Sequence, residues 1–157
     1  MNLYFAYGSN LNETRFNSRI KARFQSCASL PGYRLVFHKR SSDGSGKATI
    51  VPDGNSTVEG ALFTYADKDH EILKRIEVGY SVLPVPVVAN GRKVDALTFV
   101  ADMLDPTLLP YDWYLELIIA GGQKLGLPES YLSQLHAVKT MTDMDTERAA
   151  RERAFLA

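Results

Sequence analysis

The chain has 157 residues, of which 45% are hydrophobic. That length buries roughly two thirds of the unfolded surface, and with no long polar tract to divide it a single globular domain over 1–157 is expected. Eighteen Lys and Arg balance eighteen Asp and Glu, which argues against a phosphate-tracking nucleic-acid binder or a membrane-surface protein and favours a small neutral or zwitterionic ligand. Cys27 stands alone, so no intramolecular disulfide forms, and the longest apolar run near the N-terminus is too short for a signal or transmembrane segment. The cytoplasm is therefore the expected compartment, and the sequons at Asn12-Glu13-Thr14 and Asn55-Ser56-Thr57 read as chance matches.

The chain opens with Leu3, Phe5 and Tyr7 alternating with Tyr4 and Ala6, the period of a strand. It runs directly into Gly8-Ser9-Asn10. Gly8 permits dihedrals that other residues avoid, and Asn10-Leu11-Asn12-Glu13 resembles a capping box, so residues 8 to 11 form a strand-to-helix junction and a helix is expected over roughly Leu11 to Phe24. Free amides at such a junction, together with the positive end of a helix dipole, favour a carboxylate or phosphate; an ordinary turn is the alternative.

Pro31-Gly32 marks a turn, Tyr33–His38 a strand, and Ser41–Gly46 a flexible loop. Ala48–Val51 is strand-like until Pro52-Asp53-Gly54 breaks it, and Val58–Tyr65 is a further strand. Asp67 can cap a helix with Ile72, Leu73 and Ile76 on its apolar face, ending at Glu77-Val78-Gly79 with Gly79 as a C-cap residue. Tyr80–Val88 and Lys93–Ala101 form a hairpin through Asn90-Gly91, and Pro84 and Pro86 leave one side of the first strand unable to extend the sheet. Helices are expected over Tyr111–Gly126, after Leu127-Pro128, and over Asp145–Leu156. About six strands, mostly early, and four or five helices, mostly late, indicate an α+β fold.

Four local patterns bear on chemistry. Gly44-Ser45-Gly46-Lys47 lacks the first glycine of a phosphate-binding loop, because Ser41 stands there, and it lies between strands rather than before a helix. His38, His70 and His136 are dispersed without ligand spacing, so no metal is expected. Glu77 sits at a helix C-terminus, where the dipole disfavours a carboxylate; this invites a functional reading beside that of a solvated surface residue. Tyr80 and Tyr114 read first as packing aromatics with polar tips.

Together these segments resemble the gamma-glutamylcyclotransferase-like family, in its AIG2-like branch. Tyr4-Phe5-Ala6-Tyr7-Gly8-Ser9-Asn10-Leu11 is similar to the family's signature loop, and Gly32–Phe37 with Asp43–Ile50 resembles its next segments. Leu73-Lys74-Arg75-Ile76-Glu77 sits where the family carries its catalytic glutamate. Tyr114 with Ile118–Gly122 and Gly126-Leu127-Pro128 resembles the C-terminal substrate tyrosine and the helix behind it. The resemblance implies a small mixed β-barrel flanked by helices, no cofactor, and a cavity for a gamma-glutamyl substrate. The amides of Gly8, Ser9, Asn10 and Leu11 would hold the substrate α-carboxylate, Tyr7, Tyr80 and Tyr114 would line the site, and Glu77 would be the general acid and base.

The chain departs from the family at Val78, where glycine is usual, and in the shortened segment Glu77-Val78-Gly79-Tyr80, which bears on the leaving-group pocket. Its YGSN form argues against the glutathione-specific branch. A cyclotransferase releasing 5-oxoproline is the leading reading, and a non-catalytic binding module of the same fold is the alternative. Glu147, Arg148, Arg151, Glu152 and Arg153 read as a solvated helix face rather than a docking stripe.

Overall fold

In the computed structural model, which describes residues 1–157, five strands close into a barrel in the order β1-β3-β2-β4-β5. The strands are β1 (Asn2–Ala6), β2 (Ala22–Arg40), β3 (Gly46–Tyr65), β4 (Tyr80–Ala89) and β5 (Arg92–Ala101). β1 pairs antiparallel with β3 and parallel with β5, the latter at Tyr4 opposite Leu97, so the barrel is mixed. One continuous core includes Phe5, Phe16, Leu30, Ile50, Phe63 and Leu117. The Phe16 ring meets Tyr4 and Phe63 edge-on at 5.6 and 5.4 Å, a geometry favoured by the ring quadrupoles.

The expected six strands are five because Ala48–Val51 and Val58–Tyr65 belong to one strand. The break read at Pro52-Asp53-Gly54 is instead a wide bulge: Pro31 pairs with Thr57 and Tyr33 with Pro52, leaving the intervening β3 residues looped out. Asp53 closes that loop by accepting from the Asn55 amide at 3.0 Å and the Ser56 hydroxyl at 2.8 Å. The turn chemistry is genuine, but the paired ribbon on either side absorbs it as a bend, as a barrel wall requires.

The first helix is far shorter than expected. A 3-10 turn over Ser9–Leu11 precedes α1 (Glu13–Asn17), and the chain is already extended at Ala22. Ser18 Oγ donates to the Arg15 carbonyl at 2.6 Å and Asn17 Oδ1 accepts from the Ala22 amide at 3.0 Å. These side-chain bonds compete with helix continuation. The cap is Asn12, whose Oδ1 accepts from the Arg15 amide at 3.0 Å, and not Asn10. Gly8 has φ −111°, so no left-handed dihedral demands glycine there. Space does, because a Cβ would lie 3.2 Å from Ala48 Cβ and 3.6 Å from the Tyr114 hydroxyl.

α2 (His70–Ile76) buries Leu73 and leaves Ile72 exposed. Asp67 makes no side-chain cap and accepts instead from Asn2 Nδ2 at 3.1 Å. Gly79 beyond its end has φ +81°. Asn90 and Gly91 have φ of 50° and 74°, the primed turn expected between β4 and β5. β4 pairs with β5 along its length but with β2 only at Val88 opposite Ser29, consistent with Pro84 and Pro86 blocking that edge.

α3 (Asp112–Leu125), α4 (Glu129–His136) and α5 (Thr146–Arg153) follow the barrel strands, with α4 and α5 packed on α3. Gly126, at φ +94°, ends α3, and the Leu127 amide returns to the Gly122 carbonyl at 2.9 Å. Gly121 lets α3 lie directly on the 8–12 turn: a Cβ there would meet the Leu11 carbonyl carbon at 2.5 Å and the Asn12 amide at 2.6 Å. Gly121→Ala is expected to force these backbones apart and cost about 1–3 kcal/mol. Urea unfolding checks this as a lower midpoint at unchanged slope.

Candidate active site

The end of β1, the end of α2, the start of β4 and the start of α3 meet at a cleft of ≈ 470 Å³. Ser9, Glu77, Tyr80 and Tyr114 line it, joined by Arg15, Arg19, Lys39, Lys47, Trp113, Arg148 and Glu152 among others. Four of the sequence candidates therefore share one concavity. Tyr7 and Leu11 stand behind its wall: the Tyr7 hydroxyl donates to the Phe99 carbonyl, and Leu11 is fully buried.

The 8–12 turn supplies two kinds of group. The Leu11 amide donates to the Gly8 carbonyl at 3.0 Å and the Asn12 amide to the Ser9 carbonyl at 3.1 Å, whereas no loop or cap hydrogen bond uses the amides of Gly8, Ser9 or Asn10. Leu11 thus drops out of the expected set of free donors, because a 3-10 turn already pairs its fourth amide. Since Asn12 caps α1, the Asn10 side chain is free to face the protein interior. Its Nδ2 donates to Glu77 Oε1 at 3.1 Å and to the Tyr4 hydroxyl at 3.2 Å, across 67 residues in the first case.

Burial is the main reason the Glu77 carboxyl titrates above its ordinary range; Arg19, the Asn10 hydrogen bond, Arg15 and Lys39 oppose that shift. The same burial raises the Tyr4, Tyr7, Tyr80 and Tyr114 hydroxyls above their usual range, so all four stay protonated. The site accordingly presents neutral hydroxyls around one carboxyl that can hold or release a proton nearer neutrality than a surface glutamate.

One residue of β3 places both tyrosines. The Ala48 amide donates to the Tyr114 hydroxyl at 3.1 Å, and the Ala48 carbonyl accepts from the Tyr80 hydroxyl at 2.8 Å. Lys47 lies 4.3 Å over the Tyr114 ring and 4.5 Å over the Trp113 ring and pairs with Asp43 at 3.2 Å.

The charged wall is what sequence reading missed. Arg15 is buried, with Nη1 donating to Ser9 Oγ and Nε to Glu152, both at 3.0 Å. Arg148 grips Asp143 through two hydrogen bonds of 2.6 and 2.7 Å, and the Trp113 indole donates to the same carboxylate at 2.8 Å. Arg148 and Glu152, read as part of a solvated face, in fact share the face of α5 that turns to the cleft, as their four-residue spacing allows.

A family model described as gamma-glutamyl cyclotransferase, AIG2-like, matches residues 4–115, and the chain belongs to that family. A curated bovine gamma-glutamylcyclotransferase is 27% identical over 148 residues, covering 87% of this chain and 78% of that protein. A solved gamma-glutamyl cyclotransferase superposes with a TM-score of 0.85 at 25% identity, covering 96% of this chain and 98% of the other. A human protein whose crystal structure is described as uncharacterized gives the same TM-score and coverages at 26% identity. α4 and α5, with Arg148 and Glu152, lie beyond the matched residues.

Because the Ala48 amide is buried and has the Tyr114 hydroxyl as its acceptor, Tyr114→Phe is expected to cost about 1–3 kcal/mol of stability. Denaturant melts of the two proteins measure the difference.

Proposed function

We propose that this chain is a cyclotransferase that converts a gamma-glutamyl amino acid or amine into 5-oxoproline and the free amine. The observation that carries this reading is the burial of Glu77 against Asn10, at the side of a turn with free amides. The substrate α-carboxylate sits on the amides of Gly8, Ser9 and Asn10, where partial positive charge is available without a counter-ion. Tyr80 and Tyr114, fixed on Ala48, border the glutamyl chain and exclude water.

The α-ammonium first gives a proton to Glu77. The resulting amine attacks the gamma-carbonyl, the new C–N bond closes a five-membered ring, and the bond to the leaving nitrogen breaks. Glu77 returns its proton to that nitrogen, and the second proton released from the α-nitrogen completes the leaving ammonium. No water is consumed. A carboxyl whose pKa is raised by burial suits both directions of this transfer better than a surface glutamate, because it holds the accepted proton more firmly before returning it.

Glu77→Gln keeps the shape and the hydrogen bond from Asn10 while removing the proton carrier. Turnover should fall about 100-fold or more, with substrate still bound. Because net burial disfavours the charge, the same variant should be as stable as the parent at pH 7 or more so. Unimpaired 5-oxoproline release from this variant would assign the proton transfer to another group.

The raised carboxyl also predicts a pH profile. The base is lost as pH falls through its folded pKa, so the acidic limb of kcat/KM should lie above the ordinary glutamate value of about 4.3 and disappear from the residual activity of Glu77→Gln. Rates of 5-oxoproline formation across an acidic pH series supply the check.

A further inference from the structure

Five cationic side chains line the cleft, and three of them have carboxylate partners: Arg15 with Glu152, Lys47 with Asp43, and Arg148 with Asp143. Arg19 and Lys39 have none within ion-pair distance, and neither donates a side-chain hydrogen bond within the protein. In the neighbouring groove Asp102 bonds Ser81 and Asp105 pairs with Arg40, so neither answers Lys39. Both unpaired cations are half-buried, and both act on the Glu77 carboxyl without contacting it. One carboxylate cannot neutralise two cations, and Glu152, which also acts on Arg19, is already paired with Arg15.

The shortened Glu77–Tyr80 segment holds one of these cations in place. Lys39 Nζ lies 5.2 Å from the Tyr80 ring centroid. At Gly79 a Cβ would approach Lys39 Cε to 2.9 Å and Nζ to 3.2 Å, so the absence of a side chain leaves room for the lysine head. The segment that departs from the family pattern is therefore the one that seats Lys39 beside Glu77.

We infer that Arg19 and Lys39 form the leaving-group subsite, binding a carboxylate on the departing amine and so selecting gamma-glutamyl α-amino acids over gamma-glutamyl amines. This rests on the cyclotransferase reading of the same cleft. The leaving nitrogen must come within hydrogen-bond reach of Glu77 to receive its proton, which places the α-carboxylate of a departing amino acid two bonds further on. That position falls within the field of the two cations that act on Glu77. A charge-assisted contact there is about twice as strong as a neutral one, and a second ammonium on the leaving amine would be repelled.

The test uses three substrates differing only in the leaving group: gamma-glutamylalanine, gamma-glutamylethylamide, and the mono-gamma-glutamyl derivative of 1,2-diaminoethane. The first should exceed the second in kcat/KM by roughly 10- to 100-fold, with the third lowest. Arg19→Gln combined with Lys39→Met should compress the first ratio to within a few-fold. Taking a ratio cancels any effect of the substitutions on Glu77 itself, and Lys39→Met alone gives a partial compression if the double variant folds poorly. Equal use of the first two substrates by the parent protein, or an unchanged ratio in the variants, would overturn the assignment.

Calorimetric binding of gamma-glutamylalanine and gamma-glutamylethylamide separates this inference from the activity on which it builds. Absence of 5-oxoproline from every substrate sinks the cyclotransferase reading. The carboxylate preference would still be upheld by tighter binding of the alanine compound that the substitutions erase, and refuted by equal binding.

Discussion

Burying one carboxylate among cations is the constraint that the cleft and much of its surroundings answer to. Removing Glu77 from water is costly unless hydrogen bonds and opposite charges compensate. Asn10 supplies the hydrogen bond, while Arg15, Arg19 and Lys39 supply the charge. Packing cations together creates a second cost, which the carboxylates of Asp43, Asp143 and Glu152 offset in turn. Two of those three carboxylates come from the segment after α4, which is why α5 belongs to the site although it lies outside the matched family residues.

The barrel gives these groups a rigid frame. β1 is held on both edges, by β3 and β5, so the turn that follows it emerges from fixed backbone. α3 rests on that turn through Gly121, and the backbone of Ala48 in β3 ties Tyr80 of β4 to Tyr114 of α3. Each lining group is thereby set by an element paired or packed elsewhere, the arrangement that preorganised catalysis needs. The buried Arg15–Glu152 pair fits the same logic: such pairs add little net stability, but they fix geometry, and Arg15 also bonds the Ser9 hydroxyl.

Two departures from the family pattern acquire a physical sense from this frame. Val78 is exposed at the rim of the cleft, whereas Gly79 carries the left-handed backbone at the end of α2 and makes room for Lys39. The reversal at Gly79 sets what can sit above it, and Lys39 occupies that space. In the proposed reaction this is the mouth through which the leaving group departs, while Glu77 at the start of the same segment stays bonded to Asn10 of the 8–12 turn.

Local signals in the sequence determined a good deal. The alternation of Leu3, Phe5 and Tyr7, the Asn90-Gly91 turn, the stop at Gly126 and the start at Glu129 after Pro128 are set by neighbouring residues, and each is present as read. So is the α+β class, and the resemblance located Glu77, Ser9 and Tyr114 in one cleft. What tertiary structure decided is everything that depends on residues distant in the chain. Pro52-Asp53-Gly54 bends a strand instead of ending it because β2 pairs on both sides of the bulge. Asn10 rather than Asn12 faces Glu77 because the short α1 takes Asn12 as its cap. Arg148 and Glu152 look like a solvated face until α5 is laid against the cleft. A charge run carries no mark of its partner, because electrostatic pairing is fixed by distance in space, and only the closed barrel brings residues 9, 15, 77 and 152 together.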